Sequence, residues 1–172
     1  MDAATERQFS LIRELARLLG DAHIRFWLRG GWALDFHSGQ VAPAHKDVDL
    51  VTWRRHRGRV RRLLEGNGYR TVRFDEPQIF FEKHGQEVNF AMIRRGQGGA
   101  IVTPELEYWP WPEGAFSGPP RTLHGVTCRV LTVAALLEEK ESYAAFRRVP
   151  LRPKDEVSVR LLRGLLGERE GS

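Results

Sequence analysis

Cysteine is nearly absent: Cys128 has no possible partner within this 172-residue chain. An internal disulfide framework is therefore excluded, and such usage fits a reducing, cytoplasmic setting. The sequence shows no signal-peptide pattern and no apolar run long enough to span a bilayer, so no membrane role is expected. Lysine is scarce too, occurring only at Lys46, Lys83, Lys140 and Lys154, and arginine supplies the rest of the net charge of +5. Such a bias reflects genomic base composition as readily as a ligand, so the charge alone does not argue for nucleic acid. Internal repeats and low-complexity tracts are also missing. The length suits one domain with a core and a small appendage.

What is present centres on residues 29–50, RGGWALDFHSGQVAPAHKDVDL. Ahead of it, Ile24, Phe26 and Leu28 alternate with Arg25, Trp27 and Arg29, the period of a half-buried strand. Gly30-Gly31 breaks that strand, and residues 32–36 read as a short helix ending near Gly39. A glycine pair at a strand-to-helix junction lets backbone N–H groups approach a phosphate at the helix N-terminus. A second strand is expected over residues 46–51, with Asp47 and Asp49 on one side of it. Two adjacent carboxylates call for a cation, and Mg²⁺ suits carboxylates and phosphates alike. The plainer alternative is a simple turn followed by a polar strand face.

These residues resemble the signature of the DNA polymerase β-type nucleotidyltransferase superfamily, a Gly-Gly or Gly-Ser turn followed by Asp-x-Asp. Gly30-Gly31-Trp32-Ala33-Leu34-Asp35 and His45-x-Asp47-Val48-Asp49-Leu50 are most similar to its aminoglycoside 2''-adenylyltransferase and lincosamide nucleotidyltransferase branch. Gly31 replaces the usual superfamily serine, a departure shared with that branch. The resemblance implies an α+β nucleotidyltransferase fold, a mixed sheet with helices on one face. It also implies Mg²⁺ held by Asp47 and Asp49, with ATP or another NTP as co-substrate and its β/γ-phosphates against Gly30 and Gly31.

The rest of the chain fits that architecture. Phe9, Ile12, Leu15, Ala16 and Leu19 give an amphipathic first helix closed by Gly20. Residues 54–64 form another, ended by Gly66-Asn67-Gly68, its arginines a solvated face. Strands are expected over 69–74, 78–83 and 87–93, with His84-Gly85-Gln86 as a hairpin turn. Residues 97–120 set aromatics among carboxylates, a loop with apolar anchors or a wall for a cationic ligand. Thr132 caps a helix whose stripe is Val133, Leu136, Leu137 and Ala144. Lys140 lies within that stripe and either snorkels to water or reaches the triphosphate, the branch carrying a basic residue there. Arg152-Pro153-Lys154-Asp155 opens a last helix with Leu161, Leu162 and Leu165 inward. This run resembles a family motif in which Lys154 is the phosphate contact. Residues 1–130 are thus expected as the nucleotidyltransferase domain and 131–172 as a helical segment packed on it.

The superfamily uses a third acid on a neighbouring strand, and Asn89 occupies that position here. Asparagine offers a carbonyl oxygen to a metal but accepts no proton. Glu87, two residues away on the same polar face, or a water near Asn89, is left as the base. The function implied is transfer of a nucleoside monophosphate to a hydroxyl of a small molecule, with an aminoglycoside- or lincosamide-like antibiotic as a candidate. The alternative is a weak or inactive relative that binds nucleotide as a regulator or acts as an antitoxin-like protein partner. A third, an RNA- or DNA-end transferase, rests on the arginines alone.

Overall fold

The computed structural model describes residues 1–170, so the last two residues of the expected C-terminal segment lie outside the described residues. Helix α1 (Ala3–Asp21) starts where the Asp2 carboxylate accepts the Thr5 N–H at 2.8 Å, an N-cap that satisfies one orphan donor. It buries Phe9, Ile12, Leu15 and Leu19. Gly20 does not end it. The helix continues one residue further, and the left-handed turn is made by His23 at φ 54°.

Strand β1 (Phe26–Leu28) is shorter than its alternation suggested and is buried along its whole length. It leads directly into α2 (Gly30–Ser38), whose C-cap Gly39 is left-handed at φ 75°. Strand β2 (Val48–Trp53) follows, then a 3-10 turn and α3 (Arg57–Glu65). Strands β3 (Arg70–Phe74), β4 (Gln78–Lys83) and β5 (Gln86–Arg95) form a meander. His84 and Gly85 both take positive φ, 53° and 70°, the geometry a two-residue hairpin needs. Short β6 (Ile101–Val102) pairs with β5, giving a six-stranded sheet of order β1-β2-β5-β4-β3 with β6 off that path. Within it β2 and β5 run parallel, whereas β1/β2, β4/β5 and β3/β4 are antiparallel, so the sheet is mixed as expected.

A separate hairpin of β7 (Arg121–Leu123) and β8 (Val126–Cys128) precedes the C-terminal helices. Helix α4 (Val133–Arg147) is capped by Thr132, which accepts the Ala135 N–H. Helix α5 (Pro153–Glu170) follows. Both helices join the one core: Val133, Leu136 and Leu162 belong to the same buried cluster as Leu50, Phe81 and Phe90. On α5 Val159 and Leu162 are buried and Leu165 packs against the core, whereas Leu161, expected inward, is 42% exposed. Among the described residues no helix is long and apolar enough to cross a membrane.

Candidate active site

The parallel β2/β5 pairing builds the site. Asp49 lies opposite Asn89, and Val48, between the two aspartates, lies opposite Val88 and is fully buried. Burying Val48 inward turns Asp47 and Asp49 the other way. Asp47 itself precedes the strand, which begins at Val48, rather than lying within it. The Arg29 N–H donates to the Asp49 carbonyl at 2.9 Å, fixing the start of α2 beside the strand.

Gly30 and Gly31 have separate reasons to be glycine. Gly30 takes φ +64°, and a Cβ there would lie 3.1 Å from the Asp49 carboxylate. The carboxylate therefore packs directly on the backbone at the entry to α2. A Cβ at Gly31 would lie 2.7 Å from Nδ1 of His45. The space expected for a phosphate at Gly31 is thus shared with an imidazole on its Cα side.

That imidazole belongs to a buried network that holds the loop before β2. His45 stacks on Trp32 with ring centroids 4.2 Å apart and donates from Nε2 to Asp35 at 2.6 Å. Asp35 also accepts the Ala42 N–H at 3.0 Å. Trp32 donates to Gln8 of α1 at 2.9 Å, and the Gln8 amide donates in turn to the carbonyls of His45 and Lys46 and to Gln86. An irregular segment gains fixed geometry this way, because each buried polar group is satisfied by a neighbour.

Asn89 is 5% exposed, not on an open polar face. Strand β5 is buried from Val88 to Ile93, so both of its faces are covered there. The Asn89 amide donates to Glu87 at 2.9 Å, which brings the expected base beside the expected third-acid position. Its carbonyl oxygen is buried without any hydrogen-bond partner. Burial is the largest influence on Asp49 and pushes its carboxyl up to about 6, reinforced by Asp47 and Glu139 and opposed by Arg29 and the Asn89 amide. Desolvation here outweighs the compensating charge of Arg29.

Two groups in this electrostatic setting were not identified from the sequence. Arg29 donates through Nε and Nη2 to one oxygen of Glu139 on α4, the Nε contact at 2.9 Å. Its guanidinium also lies over Trp111 at 5.8 Å. Desolvation works against the Arg29 charge, but Glu139, Asp49 and Asp47 outweigh it and the net shift is upward. Strand alternation placed Arg25, Trp27 and Arg29 on one polar face, yet Trp27 is 3% exposed. A strand covered on both sides sends the arginine at its end inward, and the buried tryptophan was the available signal.

The two expected phosphate lysines are placed differently. Lys140 donates to Asp155 at 2.9 Å, tying α4 to α5. Lys154 is exposed in the first turn of α5.

Among the described residues, no three His, Cys, Asp or Glu side chains are grouped to hold a metal. The donor set nevertheless fits Mg²⁺. Asp47 and Asp49 supply carboxylates, and the unpartnered Asn89 carbonyl supplies a third oxygen beside Asp49. Mg²⁺ needs only one or two protein carboxylates and keeps waters for the rest.

The sequence profile of the aminoglycoside-2''-adenylyltransferase family matches residues 11–157. A 2''-aminoglycoside nucleotidyltransferase of Escherichia coli is 31% identical over 65 residues, 38% of this chain and 37% of that relative's length. A Klebsiella pneumoniae protein of the same description is 32% identical over the same shares. In three dimensions the chain is similar to the antibiotic-resistance factor ANT(2'')-Ia, with a TM-score of 0.79 at 23% identity, covering 95% of this chain and 86% of that one. It is also similar to the lincomycin-bound lincosamide antibiotic adenylyltransferase LnuA, with a TM-score of 0.71 at 20% identity over 93% and 97% of the two chains.

Proposed function

The chain belongs to the aminoglycoside-2''-adenylyltransferase family, and from that premise we propose that it is a nucleotidyltransferase acting on a small hydroxylated, amine-bearing molecule of the aminoglycoside or lincosamide kind. The donor is a Mg²⁺-bound nucleoside triphosphate, ATP first. The observation that carries this reading is the register of β2 and β5. It sets Asp49 beside an Asn89 whose carbonyl oxygen is buried and unpartnered.

In this reading Asp47, Asp49 and the Asn89 carbonyl hold the metal. When bound, the ion neutralises phosphate charge and withdraws electrons from the α-phosphorus. The backbone at Gly30 and Gly31 opens α2 towards the β/γ-phosphates, whose charge the helix N-terminus favours. Glu87, through its hydrogen bond to Asn89, is placed to take the proton of the attacking hydroxyl. The acceptor oxygen then bonds the α-phosphorus as the bond to the β-phosphate oxygen breaks, and pyrophosphate leaves. Lys154, exposed in the first turn of α5, is kept as a phosphate contact. Lys140 has donors left beyond its bond to Asp155 and is kept as a second.

Nucleic acid gains little support, because four arginines of α3 and β3 are engaged in local ion pairs. Arg57 pairs with Glu76, Arg61 with Glu65, Arg70 with Glu82 and Arg73 with Asp75.

The test is pyrophosphate release from Mg-ATP across a panel of hydroxylated amines, with Asp47→Asn and Asp49→Asn as controls. Release that needs an acceptor and disappears in both variants is expected. Binding of Mg-ATP with no release for any acceptor favours the second reading, a nucleotide-binding regulator, which the neutral Asn89 supports. Parent-like Mg-ATP binding by both variants removes Asp47 and Asp49 as the metal carboxylates, and the transfer reading with them.

A further inference from the structure

The nucleotidyl-transfer reading leaves one charge unassigned. A triphosphate brought beside Asp47 and Asp49 adds negative charge to a centre that also contains Glu139, and the two lysines expected to meet it are tied to Asp155 or exposed on α5. The cation already inside the centre is Arg29.

Its geometry is specific. Arg29 sits at the N-cap of α2, so its backbone is fixed by the Asp49 carbonyl and its side chain leaves from the start of the helix. Glu139 engages one edge of the guanidinium, taking both Nε and Nη2 on a single oxygen. Nη1 makes no hydrogen bond to any described residue, and the side chain is 22% exposed, so the Nη1–Nη2 edge has donors to spare. A guanidinium has five donors in a planar fork, and a free Nη1–Nη2 edge matches two phosphate oxygens. Trp111 lies against the guanidinium and is itself held, its indole donating to Thr103 at 2.9 Å. Of the charged groups that act on the Asp49 carboxyl, Arg29 is the strongest, in keeping with its backbone bond to the Asp49 carbonyl.

We propose that Arg29 is the cation that grips the nucleotide phosphates in this site, and that Glu139 is the tether that aims it. The inference rests on the nucleotidyl-transfer reading and names a residue for it. As the bond between the α-phosphorus and the bridging oxygen breaks, the electron pair stays on the departing pyrophosphate, where Arg29 offsets the charge. Glu139 is a positioning residue: it holds the fork by one edge and leaves the other for the ligand. The rival account makes the Arg29–Glu139 pair a strut that only pins α4 to the β1–α2 turn.

The two accounts differ in the direction of paired variants. Binding of inorganic pyrophosphate and of a non-hydrolysable ATP analogue, each with Mg²⁺, is measured by calorimetry beside thermal melting. Arg29→Met should weaken both ligands about 10- to 100-fold, as expected for loss of a charge-assisted bond. Arg29→Lys, which keeps the charge and loses the fork, should fall between. Glu139→Ala, which removes the tether and keeps the cation, should weaken both ligands, though less than Arg29→Met, because the fork is no longer aimed. A strut predicts lower melting temperatures for all three variants with unchanged affinities, and that result overturns the proposal. Should Arg29→Met fail to fold, Arg29→Lys and Glu139→Ala decide it: pyrophosphate affinity unchanged in both overturns it. A parent that binds pyrophosphate but no nucleotide keeps Arg29 and sinks the transfer reading. A parent that binds neither sinks both.

Discussion

Replacing Gly31 by alanine should cost more than any single methyl group normally does. The new Cβ would sit 2.7 Å from His45 Nδ1 and 3.1 Å from its Cε1, so the imidazole has to move. It has little freedom to do so, because one ring face stacks on Trp32 and its far nitrogen is bonded to Asp35 at 2.6 Å. Overpacking a tight site costs about 1–3 kcal/mol. Losing a hydrogen bond to a charged group costs about 1.5–3 kcal/mol more. Against these stands a gain of roughly 0.5–1 kcal/mol for alanine over glycine in a helix. The net expectation is a loss of about 2–4 kcal/mol, or ~2–4 °C of melting temperature per kcal/mol for a chain of this size. Gly20→Ala is the control: nothing lies within 4 Å of its Cβ position and its φ is not positive, so a small gain is expected. Urea unfolding of Gly31→Ala, His45→Ala and the double variant checks the cause. His45→Ala should cost clearly less in the Gly31→Ala background than in the parent. Additive losses, or a Gly31→Ala loss under about 0.5 kcal/mol, would refute the clash.

Asn89→Asp completes three carboxylates in a nearly buried position. It should destabilise the metal-free protein and be rescued by Mg²⁺ in thermal melts, and transfer should rise about 10²-fold or more if the new acid acts as base. No change in either measurement would mean that the residue does not face the metal position. The Asp49 carboxyl, at about 6 in the folded protein against its ordinary 3.8, binds its proton more tightly folded than unfolded. Metal-free stability should therefore fall as pH rises from about 4 through 6, and Mg²⁺ binding near pH 6 should release protons. Asp49→Asn should flatten that stability profile, and a profile left unchanged assigns the slope to another group.

Much of the scaffold could be read from local pattern. The His84-Gly85 turn and the Thr132 cap each depend on a few consecutive residues and lie where expected, whereas the glycine pair opens α2 itself and Asp47 stands just ahead of its strand. The parts that escaped depend on distant partners. Gln8 is 24 residues from Trp32 and 37 from His45, and nothing in an amphipathic helix marks one glutamine as the support of a loop. Arg29 and Glu139 are 110 residues apart, and their pairing follows only once α4 is packed on the sheet. Asn89 looked half-exposed because alternation in β5 assumes one open face, and this strand has none between Val88 and Ile93.

The parallel pairing of β2 with β5 has a kinetic consequence. Asp49 and Asn89 meet across adjacent strands although 89 − 49 = 40 residues separate them in the chain. Two strands running the same way cannot be joined by a hairpin, so α3, β3 and β4 all lie in the intervening loop. Closing that loop costs entropy before any contact across it repays the loss, which makes this pairing a late event during folding. A nascent chain that has left the ribosome only as far as β4 already has the glycine pair and both aspartates, yet the strand that flanks them is still missing. The meeting of Asp49 with Asn89 thus exists only after the sheet is complete, and misfolded or truncated forms carry the motif without that neighbour.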